Sequence, residues 1–397
     1  MFPEKSLSWG QSKSCIRELA AFGAARKAEI GADKVFDFSI GSPSVPAPQI
    51  VNDTLVELIQ NTESVVLHDY TPAVGLPATR KAIAEDLNKR YKAGISPDMV
   101  YMTIGAAAGL TAACRGLLCP GEEAITFAPF FPEYTVFVES AGAKLVASPP
   151  KSNMQPDMAA FEKAITEKTK MVIMNTPNNP TGVILTAESL SEIVAILERA
   201  QEKYGHPIYL LSDEPYRELI FDGSSPLCVT HFYKNSIICY SFSKSLSLPG
   251  ERIGYLAVGG EMEDKELVFA AITGGARGCG YVNAPSLMQR LVERCVGLTS
   301  DISEYKENRD LLYNGLTGLG FDCVKPDGAF YLFMKCPIDD AKAFSDSAKK
   351  YELLLVPSDD FGVPGYVRLA YCVSRDTIRN SMPAFRKLAE EYEVCNA

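Results

Sequence analysis

Three stretches decide the fold: MVIMNTPNNPTG at 171–182, IYLLSDEPY at 208–216 and SIICYSFSK at 236–244. Each opens on a short apolar run and ends on polar residues. A run that is apolar at consecutive positions is covered on both faces, as a strand inside a layered, mainly parallel sheet must be. Further runs of this kind lie at 99–104, 124–127, 144–147 and 253–258. Helical patterns at 106–118, 132–140 and 187–204 fall between them. Strand–helix alternation of this sort predicts the α/β class, with a large three-layer domain built on a mostly parallel sheet.

Past residue 280 the pattern changes. Long helical stretches at 285–296 and 301–316 precede strand patterns at 321–324, 329–334, 353–356 and 366–371, and a last helix is expected over 375–392. This predicts a smaller α+β domain. Pro43, Pro46 and Pro48 make the first fifty residues read as an extended arm. The expected organisation is 1–49 as an N-terminal arm that is part of the small domain, 50–284 as the large domain and 285–397 as the small C-terminal domain.

Composition narrows the function. Lysine and arginine number 39 against 49 aspartates and glutamates in 397 residues, a formal charge of −10. A net acidic chain with no Lys/Arg run is not expected to bind nucleic acid or a membrane surface. No uncharged stretch is long enough to cross a bilayer, and Met1-Phe2-Pro3-Glu4-Lys5-Ser6 holds no apolar core of a secretory signal. The 11 cysteines are scattered singly without a C-x-x-C, which suits a reducing compartment and predicts a cytoplasmic protein. His68, His206 and His231 stand apart from one another, so no metal site is expected.

Open α/β sheets bind ligands at the carboxyl ends of their strands. The first expected strand runs into Gly105, Ala106 and Ala107, a phosphate-sized turn that opens a helix. The second leads to Phe130 and Phe131, the fourth to Asn178 and Asn179, and the fifth to Asp213 and Tyr216. The sixth leads to Ser241, Ser243 and Lys244, with Arg252 close behind. Each has an ordinary structural explanation when taken singly. Asn-Asn-Pro-Thr-Gly is a good turn sequence, Asp213 could cap a turn, and a lysine in a serine-rich loop is usually solvated. Together, at the ends of one sheet, they form a composite site. Neither G-x-G-x-x-G after the first strand nor a P-loop is present, which argues against a nucleotide.

Asn-Asn-Pro-Thr-Gly (178–182), Ser-Asp-Glu-Pro-Tyr (212–216), Ser-Phe-Ser-Lys (241–244) with Arg252 eight residues beyond the lysine, and Val-Arg-Leu-Ala-Tyr (367–371) resemble the class I aminotransferases. These are fold type I enzymes dependent on pyridoxal 5'-phosphate. The order and spacing match from about Asp37 to the C-terminus. The resemblance implies that Lys244 holds the cofactor covalently and, once released, moves the α-proton. It implies that Asp213 pairs with the pyridine nitrogen, that Tyr216 and Asn179 reach the ring hydroxyl oxygen, and that Phe131 stacks on the ring. The cofactor phosphate would be held by Arg252, Ser241, Ser243 and the amides of Ala106 and Ala107. Tyr70 matches a tyrosine that reaches the phosphate of the neighbouring subunit, which implies a homodimer with shared active sites. Arg368 would grip the substrate α-carboxylate, and Gly41 and Asn179 would lie against the substrate. Arg277 lies near the position of a side-chain carboxylate reader without aligning cleanly, and Phe131 stands where the aspartate-specific branch often carries tryptophan. The implied reaction moves the α-amino group of an amino acid to a 2-oxo acid, expected to be 2-oxoglutarate, by a ping-pong route. The alternative is a carbon–sulfur β-lyase using the same cofactor.

Overall fold

The structure is a computed structural model that describes residues 2–11 and 14–394. The chain enters through helices α1 (Glu4–Gln11) and α2 (Cys15–Ile30) and the short strand β1 (Phe36–Asp37). Helices α3 (Gln49–Asn61), α4 (Ser64–His68) and α5 (Pro77–Tyr91) lead to β2 (Val100–Thr103) and α6 (Ala106–Leu117). Alternation then continues through β3 (Glu123–Phe127), α7 (Glu133–Ser140), β4 (Lys144–Ser148), α8 (Met158–Ala164), β5 (Thr169–Asn175) and α9 (Ala187–Tyr204). Next come β6 (Tyr209–Asp213), β7 (Ser236–Ser241), α10 (Phe242–Ser245), β8 (Gly254–Val258) and α11 (Lys265–Gly278). The remainder comprises α12 (Ser286–Cys295), α13 (Ser303–Gly318), β9 (Cys323–Val324), β10 (Tyr331–Lys335), α14 (Ala341–Ala348), β11 (Leu353–Leu354), β12 (Val356–Pro357), β13 (Tyr366–Ala370) and α15 (Arg375–Glu391).

The local sequence explains these elements. In α9 the buried residues Leu190, Ile193, Val194, Leu197 and Ala200 recur at helical spacing, so one face is apolar and the other solvated. Thr186 caps its start by accepting from the Ser189 amide, and Gly205 ends it in the left-handed region with its N–H on Gln201. Every residue of β2, β7 and β8 is buried, the mark of strands covered on both faces.

The seven-stranded sheet has the order β2-β8-β7-β6-β5-β3-β4. Strands β4, β3, β5, β6 and β7 pair in parallel, and β8 runs antiparallel to both its neighbours, β7 and β2. Six strands therefore point one way and end on a common edge, where β8 begins: Gly254 pairs with both Thr103 and Ser241. One face carries a core with Ile83, Leu190, Ile193, Leu197 and Leu291; the other carries Leu110, Tyr134 and Ile272 from α6, α7 and α11. At roughly 1.5–3 kcal/mol for each large apolar side chain removed from water, these two layers hold the sheet in place.

The second body is the antiparallel sheet β12-β13-β10-β9, packed with α13, α14 and α15 around Leu312, Phe330, Phe344, Leu369 and Phe385. Phe38 and Val45 from the arm enter this core, and β1 pairs in parallel with β11.

Three expectations need correction. The first fifty residues are not extended throughout: α1 and α2 occupy much of the described ones, and the stretch 38–48, which holds Pro43, Pro46 and Pro48, lies outside helices and strands. The Ala-rich run of α2 is a strong helix former that the proline cluster overshadowed. The boundary drawn at 284/285 falls ahead of α12, yet Met288, Leu291, Val292 and Cys295 of that helix join the large core. Finally, the stretch expected as one strand at 353–356 is two: β11 pairs with β1, and β12 with β13. Among the described residues no helix is long and apolar enough to cross a membrane.

Candidate active site

The common edge of the large sheet opens into a cavity of about 300 Å³. Twelve of the residues singled out in the sequence line it: Gly41, Ala106, Ala107, Phe131, Asn179, Asp213, Tyr216, Ser241, Ser243, Lys244, Arg252 and Arg368. The sheet explains most of this convergence, because the segments after β2, β3, β5, β6 and β7 all emerge at that edge. Arg252 precedes its strand, and only the reversed direction of β8 delivers it to the same rim.

Asp213 is the last residue of β6 and is buried. Its Oδ2 accepts from the Tyr134 hydroxyl at 2.6 Å, while its Oδ1 has no partner. Burial pushes this carboxyl up to about 7, with the Tyr134 hydrogen bond opposing the shift and Glu214 adding to it. An unpaired carboxylate oxygen inside a protein is costly unless a donor, best a cationic one, arrives.

Lys244 lies on α10, where Ser241 caps the turn by accepting from the Ser243 amide, and the two serine hydroxyls sit 2.6 Å apart. The Lys244 Nζ donates to the Gly41 carbonyl at 2.8 Å and stands 5.4 Å from the centre of the Phe330 ring. Burial pushes its amine down to about 8; the Cys372 thiol opposes this, and Arg252 and Arg368 add to it.

The floor of the cavity near Arg252 is a cradle for an anion. Gly105 precedes α6 with φ of +88°, a conformation that favours glycine, and a Cβ there would lie 2.8 Å from Arg252 Nη2. The backbone can thus bring the free N–H groups that start α6 up to the guanidinium. Arg252 is itself held by donating to the Pro249 carbonyl at 2.8 Å.

Arg368 on β13 is 2% exposed. Its Nη1 donates to Asn179 Oδ1 at 3.1 Å and its Nη2 to the Ser39 carbonyl at 2.7 Å, while Nε has no partner. The guanidinium lies 4.6 Å from the centre of the Tyr331 ring, and the Tyr331 and Tyr216 hydroxyls share a hydrogen bond of 3.0 Å.

Two of the singled-out residues stand elsewhere. Tyr70 is 91% exposed and lines a separate cavity of about 440 Å³ with Thr71, Ile104 and Asn283. Arg277 is exposed on the last turn of α11 and does not line the site cavity.

Sequence reading missed several participants. Tyr134 was detectable in principle, since it follows Phe131 by three residues at the start of α7. Asn175 ties two strand ends together, donating to the Asp213 carbonyl at 2.9 Å and accepting from the Asn179 amide at 2.7 Å. Tyr331 and Ile16 line the cavity from the small body and the arm, and nothing in their own stretches of sequence marks them.

The donor set fits pyridoxal phosphate on observations internal to the chain. Asp213 Oδ1 lacks the donor that a protonated ring nitrogen would supply. Arg252, two adjacent hydroxyls and a helix start suit a phosphate. A half-buried lysine with a depressed amine suits an aldehyde.

Comparison with known proteins agrees. The family model described as aminotransferase class I and II matches residues 33–385. A solved amino transferase from Eubacterium rectale is 49% identical, covers 99% of each chain and superposes with a TM-score of 0.97. The aspartate aminotransferase of Thermotoga maritima is 31% identical over 88% of this chain and 90% of its own length. The aspartate/prephenate aminotransferase of Thermus thermophilus is 29% identical over 88% and 89%. With a match of this extent and a cavity of this chemistry, the chain belongs to the class I and II aminotransferases and is an enzyme dependent on pyridoxal 5'-phosphate.

Proposed function

We propose that the enzyme moves the α-amino group of an amino acid to 2-oxoglutarate in two half-reactions, the donor leaving as its 2-oxo acid before the acceptor enters. The observation that carries this reading is the buried, unpartnered Asp213 Oδ1 in the wall of the cavity that also holds Lys244 and Arg368. The Thermotoga and Thermus relatives named above are aminotransferases with aspartate among their named substrates, which supports amine transfer. Nothing in the site favours the carbon–sulfur β-lyase alternative.

In this reading the bound cofactor supplies an electron sink that makes the substrate α-hydrogen acidic. Asp213 keeps the sink charged by accepting from the ring nitrogen through Oδ1, with Tyr134 holding Oδ2. Tyr216 and Asn179 would hold the ring oxygen, and Phe131 would cover the ring. Arg252, Ser241, Ser243 and the amides of Ala106 and Ala107 hold the phosphate. Lys244 would anchor the cofactor; once freed, its amine, whose charged form burial disfavours, takes the α-proton and returns it. Arg368 binds the substrate α-carboxylate as a fixed fork, beside Gly41 and Asn179. The large domain thus binds the cofactor, while the arm and C-terminal domain bring Gly41, Tyr331 and Arg368 over it.

The same reading makes the enzyme a cytoplasmic homodimer. Val56, Ile59, Val65 and Tyr70 on α3, α4 and the following loop are 54%, 62%, 80% and 91% exposed, an apolar face that a second copy would cover while lending its Tyr70. The ten described cysteines are free thiols, as a reducing compartment keeps them.

The test is a half-reaction. Loaded enzyme given an amino acid alone should release about one equivalent of its 2-oxo acid per site and stop until 2-oxoglutarate is added. Continuous release of ammonia and pyruvate from a β-substituted amino acid such as cystathionine, without amine transfer, would overturn the reading.

A further inference from the structure

The backbone of residues 39–41 holds two of the cations of the site, Arg368 and Lys244. Arg368 Nη2 donates to the Ser39 carbonyl at 2.7 Å, and Lys244 Nζ donates to the Gly41 carbonyl at 2.8 Å. Between them, the Cys372 thiol donates to the Ile40 carbonyl at 3.5 Å. These carbonyls set where the two side chains rest, so whatever fixes this segment also fixes them.

Asp37 fixes it. Its Oδ1 accepts from the Ser39 amide at 3.1 Å and from the Ser39 hydroxyl at 2.6 Å, and Ser39 is fully buried. Its Oδ2 accepts from Lys27 Nζ at 2.7 Å, in a pair whose aspartate side chain is only 11% exposed. The helix that carries Lys27 passes so close that a Cβ on Gly23 would lie 3.1 Å from Asp37 Oδ2 and 2.7 Å from Leu354. The other end of that helix bears Ile16, which lines the cavity. The strand of Arg368 is tied to the same segment, since the Ala370 amide donates to the Phe38 carbonyl at 2.8 Å.

We infer that Asp37 is a positioning residue for the substrate-binding arginine: through Ser39 it sets the carbonyl that holds Arg368, and through Lys27 it couples that grip to the docking of α2 at the mouth of the cavity. The charge on Asp37 matters on both sides. A carboxylate accepts two bonds from Ser39 with one oxygen and still pairs with the ammonium through the other. A neutral amide keeps one acceptor and turns a donor toward Lys27. This inference rests on the reading of Arg368 as the α-carboxylate grip.

The test is steady-state kinetics of the loaded enzyme with two amino acid donors of different side chain, for Asp37→Ala, Asp37→Asn, Lys27→Met, Arg368→Lys and the Asp37→Ala/Arg368→Lys pair. Asp37→Ala should raise KM about tenfold for both donors, the loss expected when a charged hydrogen-bond partner is removed, with the cofactor absorbance retained. Asp37→Asn and Lys27→Met should shift KM the same way by less. Because Asp37 acts through Arg368, the two effects in the pair should fall well short of multiplying. Unchanged KM in the Asp37 variants alongside a lowered melting temperature would make Asp37 merely structural and overturn the inference, as would effects that multiply fully. Should Asp37→Ala fail to fold, Asp37→Asn and Lys27→Met decide by the same criterion. If Arg368→Lys leaves KM for both donors unchanged, the reading of Arg368 falls and the inference falls with it. If Arg368→Lys weakens both donors but the Asp37 variants do not, the inference alone fails.

Discussion

Asp213 sits in an environment far from the ordinary one of a carboxylate. Its carboxyl is held at about 7 by burial, against about 3.9 for an unfolded aspartate. Between those values the cofactor-free fold keeps a proton that the unfolded chain has lost. Asp213 therefore favours the fold most below about pH 4, and that benefit is lost as pH rises through about 7. In cofactor-free protein, the stability measured by urea unfolding should fall from pH 5 to pH 8 more steeply in the wild type than in Asp213→Asn. Equal slopes would mean that Oδ1 already has a partner. The sequence made Asp213 legible because it closes an apolar strand. It did not show Tyr134 as the donor on the other oxygen, since that bond depends on α7 folding back beneath the sheet edge.

At the scale of elements, the direction of β8 does most to assemble the anion cradle. It carries Arg252 to the rim where α6 begins, and Gly105 is the hinge point between them. Replacing Gly105 by alanine forces a side chain into a backbone conformation with φ of +88° and toward Arg252 Nη2 at 2.8 Å. Gly105→Ala should weaken retention of pyridoxal phosphate by about tenfold or more, given the ~1–3 kcal/mol cost of such strain, while leaving the far layers intact. Equilibrium dialysis against the cofactor measures it, and unchanged retention would place the phosphate elsewhere. The strand ends of the large sheet were readable because apolar runs and polar ends are local signals. The reversal of β8, the division of the 353–356 stretch into β11 and β12, and the attachment of α12 to the large core were not, because each is settled by a distant partner. The helix α2 was readable from its alanines, but the prolines that follow it carried more weight.

For the whole molecule, the cavity of the site forms where three parts of the chain meet. The large sheet supplies Asp213, Lys244 and Arg252; the small body supplies Tyr331 and Arg368; the arm supplies Gly41 and Ile16. The hydrogen bond from Lys244 to the Gly41 carbonyl and those from Arg368 to Asn179 and Ser39 cross these boundaries, so positioning and fold are one problem. Tyr331 and Ile16, contributed across such boundaries, carry no mark in their own stretches of sequence and emerge only from the structure. Covalent capture of the cofactor by Lys244 is the claim on which the rest depends. The direct measurement is the absorbance of purified protein supplied with pyridoxal phosphate, compared with Lys244→Ala and followed as an amino acid is added. The account predicts a band near the visible edge in the wild type that disappears on adding a donor, with the variant lacking that band and its turnover lowered by at least about 10²–10⁴-fold at unchanged circular dichroism. A variant that shows the same band and wild-type turnover would contradict it.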